Sequence, residues 1–143
     1  MYIGRYYHRL EAKNRMSLPA SFRKILGESG VITRGLDGCL NIFDGEHWQK
    51  QIEKIQNLSE TKKANREYMR HVTNDAVEID IDGQGRILIS EDLKEAAGLV
   101  KEIVCVGSLT HIEIWDRDRY AAYVDKTEKV IEDTVETIED GNS

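Results

Sequence analysis

Two short stretches carry residue types suited to gripping a phosphate or a base edge, each with an acid four positions before an arginine. They are Glu11, Ala12, Lys13, Asn14, Arg15 and Asp82, Gly83, Gln84, Gly85, Arg86. A guanidinium is planar and permanently charged, so it binds phosphate or reads O6 and N7 of guanine in the major groove through two parallel hydrogen bonds. Lys13 and Gln84, two positions before each arginine, add further donors. The same spacing serves a second use, because Glu11 with Arg15 and Asp82 with Arg86 can close their own turns as ion pairs. Spacing alone favours that use, and the two can coexist: an acid that orients one arginine leaves the lysine and the turn amides free.

Other constellations fall short of a site. Gly83, Gln84, Gly85 has no third glycine where a dinucleotide loop needs one, and no helix follows directly. His8, His47, His71 and His111 lack any ligand spacing, so no metal is expected. Glu78, Asp80 and Asp82 alternate along one strand and read as a wetted face; hydrolysis by paired carboxylates ranks last among the uses considered. No nucleophile with its base is marked out. Trp48, Trp115 and Tyr120 read as core or interface anchors. No cofactor and no small-molecule substrate is predicted, and the chain is not expected to be an enzyme.

The elements that must hold the two loops are themselves duplicated. After each loop comes an apolar stretch (Met16 and Leu18; Ile87, Leu88 and Ile89), then a helical pattern ending at Gly27 or Gly98, at an offset of 71 positions. Beyond the glycines the offset becomes 72, pairing Gly35 with Gly107, Leu40 with Ile112, Ile42 with Ile114, Phe43 with Trp115 and Asp44 with Asp116. Two copies of one supersecondary unit are therefore expected, sharing one core. Strands lead into both loops; in the second, Val77, Ile79 and Ile81 form the apolar face. Asn14, Gly83 and Gly85 tolerate positive φ. Pro19 and Ser90 open short helices packed through Phe22, Ile25 and Leu26 or through Leu93, Ala96 and Ala97. Strand pairs follow, then helices from about Glu46 to Gln56 and from about Arg117 to Ile138. The second bears Tyr120, Tyr123, Val124, Val130, Ile131, Val135 and Ile138 as an apolar stripe opposite its acids, a partner surface. Ser59 to His71 forms a helical connector with Ala64, Tyr68 and Val72 inward.

Net charge is −6 over 143 residues, which taken alone argues against a polyanionic partner. The distribution reverses that. Residues 1–34, with Arg5 and Arg9 among them, hold seven cations against two anions, whereas residues 124–143 hold two against seven. Such asymmetry points to nucleic-acid contact by the N-terminal part. No apolar run reaches the ~18 residues of a membrane span, the N-terminus lacks a signal-peptide pattern, and Cys39 and Cys105 read as reduced, buried residues. A cytoplasmic protein without a membrane partner is expected.

Taken together, Gly4, Tyr7 and His8, then Lys13, Asn14, Arg15, Ser17, Leu18, Pro19, Phe22 and Arg23, then Thr33 through Leu40 resemble the MraZ family. The second half agrees through Asp82, Gln84, Gly85, Arg86, Ile87, Leu88, Ile89, Ala97, Gly98, Leu99, Gly107 and Ile112 through Trp115. The resemblance implies an α+β fold: a tandem pair of AbrB/SpoVT-like ββαββα units of the swapped-hairpin type around one β-rich core, with peripheral helices. Residues 1–57 are the first unit, 58–75 the helical connector, 76–125 the second unit and 126–143 a C-terminal acidic helix and tail. It further implies a sequence-specific transcriptional regulator that is nucleoid-associated, forms an octamer-like homo-oligomeric ring, and represses its own division and cell-wall gene cluster through direct repeats in promoter DNA. The DNA-binding residues carried over are Lys13, Asn14, Arg15, Gln84, Gly85 and Arg86, with Arg5 and Arg9 from the basic block. Glu11 stands where the family has Asp, Asn14 where Gly is common and Ser90 where Pro is common. The alternative is an antitoxin-like or scaffolding module that binds another protein through its acidic helix.

Overall fold

Each unit supplies a strand, a loop, a short strand, a short helix, a hairpin and a longer helix. In the computed structural model, which describes residues 1–141, these are β1 (Tyr2–Arg9), β2 (Arg15–Ser17), α1 (Ala20–Leu26), β3 (Ser29–Arg34), β4 (Leu40–Phe43) and α2 (Gly45–Gln56). The connector helix α3 (Lys63–Thr73) leads to β5 (Val77–Asp80), β6 (Arg86–Leu88), α4 (Glu91–Ala96), β7 (Glu102–Leu109), β8 (Ile112–Asp116) and α5 (Arg117–Glu128), with α6 (Ile131–Gly141) beyond. Asn142 and Ser143, the end of the expected acidic tail, lie outside the described residues.

The strands form an antiparallel sheet in the order β1-β7-β8-β4-β3-β5, and β2 pairs separately with β6. Leading strands are exchanged between units: β1 of the first lies on β7 of the second, and β5 of the second on β3 of the first. A pseudo-two-fold axis passes through the pair Asn41 and Glu113, since Leu40 meets Ile114 on one side and Ile42 meets Ile112 on the other. Gly107 permits the β1 crossing, because a Cβ there would run into the Tyr2–Ile3 backbone.

Alternation sorts the side chains into two layers. Tyr2, Ile32, Leu40, Ile42, Ile103, Cys105, Ile112 and Ile114 face one core, which Met16, Ile87, Phe22 and Leu93 close from the β2–β6 ladder, α1 and α4. Each such buried side chain stabilises the fold by about 1.5–3 kcal/mol relative to exposure. On the opposite face Phe43 packs on Trp48 of α2 (ring centroids 5.8 Å apart) and Trp115 on Tyr120 of α5 (5.5 Å), while the Thr33 hydroxyl donates to the Val72 carbonyl of α3. Caps fix the helix starts: Asp44 accepts from the His47 amide at 2.8 Å and Ser90 from the Leu93 amide at 3.3 Å. Gly27 and Gly98 stop α1 and α4 with φ of 83° and 61°.

Several expectations change. The helix expected from Arg117 to Ile138 is two, broken at Lys129 and Val130. The Thr127 hydroxyl donates back to the Val124 carbonyl at 3.2 Å and the Val130 amide bonds Thr127 one residue early, which bends the chain. The connector helix starts at Lys63 rather than Ser59, and Ala64 is exposed; only Val72 is fully buried. Val77 and Ile25 are 44 % and 40 % exposed rather than inward, since β5 is an edge strand and α1 is only two turns long. On β7 the ladder places Val104, not Ile103, opposite Trp115 as Val31 is opposite Phe43; the tighter β7–β8 turn absorbs the extra residue.

Candidate nucleic-acid interface

Period two decides which way the loop arginines point. In the β2–β6 ladder Met16 faces Ile87 and both are buried, so Arg15, Ser17, Arg86 and Leu88 must lie on the other side. Arg15 is opposite Leu88 and Ser17 opposite Arg86, which makes the two arginines diagonal neighbours. Diagonal positions are about 7–8 Å apart. Leu88, 59 % exposed, shares that face, directly across from Arg15 and two residues along β6 from Arg86.

Loop 1 is tight. The Glu11 amide donates to the Arg15 carbonyl at 2.7 Å, and both Lys13 and Asn14 take left-handed backbone, φ 63° and 60°. Positive φ was expected of Asn14 but not of Lys13, an uncommon choice that turns its side chain away from the ladder. The Asn14 side-chain amide donates to Glu91 at the start of α4 (2.6 Å), and the Asn14 backbone carbonyl accepts from the Ile89 amide (2.9 Å), tying the loop to the second unit. Arg15 is exposed, and among the described residues it forms no ion pair. Lys13 is exposed and likewise without an acid partner there.

Loop 2 is built differently. One Asp82 carboxylate oxygen accepts the amides of Gln84 (2.8 Å) and Arg86 (2.9 Å), and the other accepts from Arg86 Nε at 3.1 Å. The Arg86 amide, then the Gln84 amide and the guanidinium, hold the Asp82 carboxyl below the usual carboxylate range. Of the positions expected to take positive φ, Gly85 does (77°), whereas Gly83 is not among the positive-φ glycines. The Arg23 guanidinium of α1 fills the space a Cβ on Gly85 would need. The Gly85 carbonyl accepts from the Leu18 amide at 3.0 Å, matching the Asn14–Ile89 bond of the other loop. The ion-pair and free-cation readings of the repeat are thus divided: Arg86 is paired with its own acid and Arg15 is not.

Of the eight residues expected to form the site, Lys13, Asn14, Arg15, Gln84, Gly85 and Arg86 come together around this ladder. Arg9 is exposed and bonded to Glu102 at 2.9 Å. Arg5 lies on the opposite face of the sheet, its guanidinium 5.0 Å from the Tyr120 ring of α5. Arg23 and Leu88 join the site without having been expected there. The sequence placed Arg23 in the basic block, but only folding shows α1 delivering it to the other unit's loop, and Leu88 was one of an apolar stretch whose exposed member the sequence did not single out. Among the described residues no group of three or more His, Cys, Asp or Glu side chains is placed to hold a metal ion, and no helix is long and apolar enough to cross a membrane.

The family model described as "MraZ protein, putative antitoxin-like" matches residues 1–71 and again residues 73–140, one match for each half of the duplicated structure. With two successive matches spanning nearly all of its length, the chain belongs to the MraZ family.

Proposed function

We propose that this protein is a sequence-specific DNA-binding transcriptional regulator, acting as a homo-oligomer on short direct repeats in promoter DNA and repressing its own division and cell-wall gene cluster. The observation that carries the reading is the outward face of the β2–β6 ladder, where Arg15, without an ion pair among the described residues, is the cross-strand partner of an exposed Leu88 and diagonal to a carboxylate-oriented Arg86. Two arginines at ladder positions about 7–8 Å apart fit within one major groove about 12 Å wide, where arginine reads guanine and an apolar side chain meets the thymine methyl. Lys13 and Arg23 supply backbone contacts that position the ladder without reading sequence. The acidic α6 extends from α5, whose Tyr120 packs on Trp115 on the sheet face turned away from the ladder, which lets a chain of net charge −6 approach DNA with its cations first. One ladder offers few contacts, and non-specific binding of that kind has a dissociation constant of only ~10⁻⁴–10⁻⁶ M. Several copies on successive repeats raise avidity by about 10²–10⁴.

A mobility-shift titration on the protein's own upstream DNA tests this. Arg15→Ala is expected to weaken binding about 5- to 150-fold, from the 1–3 kcal/mol of a bidentate base contact, with the fold intact. Affinity equal to wild type overturns the assignment. A second reading, a protein-interaction module, is favoured by the exposed apolar residues of α6; it predicts a stable complex with another protein and no salt-sensitive DNA binding.

A further inference from the structure

The pseudo-symmetry leaves one helix without its seat. In the first unit α2 is followed by α3, which packs over β3: its Val72 is buried, His71 Nε2 meets the Gly35 carbonyl at 2.7 Å, and Gln51 of α2 donates to Tyr68 at 2.9 Å. In the second unit α5 is the counterpart of α2, and α6 follows it with the same length as α3, 11 residues. Yet α6 is exposed at every residue from Ile131 to Glu139, and Val130, Ile131, Val135 and Ile138 are 45–57 % exposed. The place on β7 and β1 that corresponds to the seat of α3 is an open groove of about 350 Å³ beside α5, lined by Arg5, Tyr7, Arg117, Tyr120, Ala121 and Val124. Tyr7 is 53 % exposed, and Ile3, two residues before Arg5 on the same face of β1, is 61 % exposed.

The chain's own α6 does not reach that groove. Six residues separate α2 from α3, enough to reverse direction, but only two separate α5 from α6. Lys129 keeps right-handed helical backbone (φ −65°, ψ −25°), so the break is a bend and not a reversal. Pseudo-symmetry selects the occupant, because α6 is the counterpart of the helix that fills the matching seat in the first unit. From Val130 to Glu139 α6 carries Glu132, Asp133, Glu136 and Glu139 with no cation. The groove offers Arg5 and Arg117, each stacked on a tyrosine at about 5 Å (Arg5 on Tyr120, Arg117 on Tyr7), and Asp125 and Glu128 line it as well. We infer that α6 of one copy docks into the β1–α5 groove of a second copy, its apolar stripe on Ile3, Tyr7 and Val124 and its acids toward Arg5 and Arg117. The contact joins two different surfaces, so it links copies head to tail or as a reciprocal exchange. It rests only on the homo-oligomeric part of the function proposed above and requires no DNA.

Two full-length variants test it without DNA present. One carries Ile138→Cys and the other Tyr7→Cys; the native Cys39 and Cys105 are buried. When the two are mixed and treated with a bifunctional maleimide, a band joining the two different copies is expected. Absence of such a band overturns the proposal. In a second experiment Val135→Asp with Ile138→Asp, at positions exposed in the single chain, is expected to lower the sedimentation mass toward that of one chain, with unchanged circular dichroism. Retention of the wild-type mass overturns it. Arg15→Ala is expected to leave the mass unchanged, so loss of DNA binding and loss of assembly are read separately.

Discussion

Arg15 and Arg86 stand at matching positions of a duplicated loop, but their charges are not equally available. Asp82 anchors the Arg86 guanidinium, whereas Glu11 meets Arg15 only through the backbone. Arg86→Ala is therefore expected to weaken DNA binding less than Arg15→Ala does in the same mobility-shift series; an equal or larger loss from Arg86→Ala contradicts the asymmetry. A second residue-scale prediction concerns Asp44. Its carboxylate caps α2 and accepts the Tyr2 hydroxyl at 2.8 Å. Burial pushes its pKa upward, but the His47 amide and ring and the Tyr2 hydroxyl outweigh that and hold it below the usual value. A depressed carboxylate contributes stability above its unfolded pKa of about 3.9, and the contribution is lost as pH falls through the lower folded value. Asp44→Asn keeps a capping oxygen but removes the titration. Urea midpoints are expected to fall less between pH 5 and pH 2 in Asp44→Asn than in wild type, and parallel pH profiles rule the linkage out.

The β2–β6 ladder is three residues long on each side and would not persist alone; it exists because Met16 and Ile87 are clamped into the common core. Ile87→Ala is expected to cost about 2–5 kcal/mol and to weaken DNA binding as well, because both loops hang from that ladder. Leu88→Ala, one residue along, is expected to stay within about 0.5 kcal/mol of wild type, and denaturant titration of the pair separates the two faces. Much of this ladder was legible in the sequence: Met16 and Ile87 recur at the repeat offset and mark the buried side. What could not be read was the pairing partner. Strand patterns say which face is apolar but not which edge meets which, so the exposed Leu88 between two buried isoleucines is told apart only once Ile87 is placed opposite Met16. The bend at Lys129 and Val130 was equally hidden, because it depends on where the Thr127 hydroxyl finds a carbonyl.

Exchange of leading strands makes the two units interdependent. Without β7, β1 has no ladder partner, and without β5 the outer edge of β3 is bare. Residues 1–57 expressed alone are expected to gain structure only by self-association, with a thermal midpoint that rises with protein concentration. A cooperative, concentration-independent transition in a monomeric fragment contradicts the shared-core architecture. The same exchange brings both loops to one ladder and places α5, from which the acidic α6 extends, on the other face, a separation of charge that an average over the chain conceals.

Residue order alone determined the duplication, the position of each loop, the caps at Pro19, Ser90, Gly27 and Gly98, and the family to which these motifs point, because each is a local pattern of residue types at short spacing. Tertiary structure decided which of the two loop arginines pairs with its own acid among the described residues, that Arg23 reaches the other unit's Gly85, that Arg5 lies on the far side with α5, and that α6 has no seat among them. Most of those outcomes turn on contacts between segments far apart in the chain. They are set by strand register and by the packing of one shared core, neither of which leaves a mark in local periodicity.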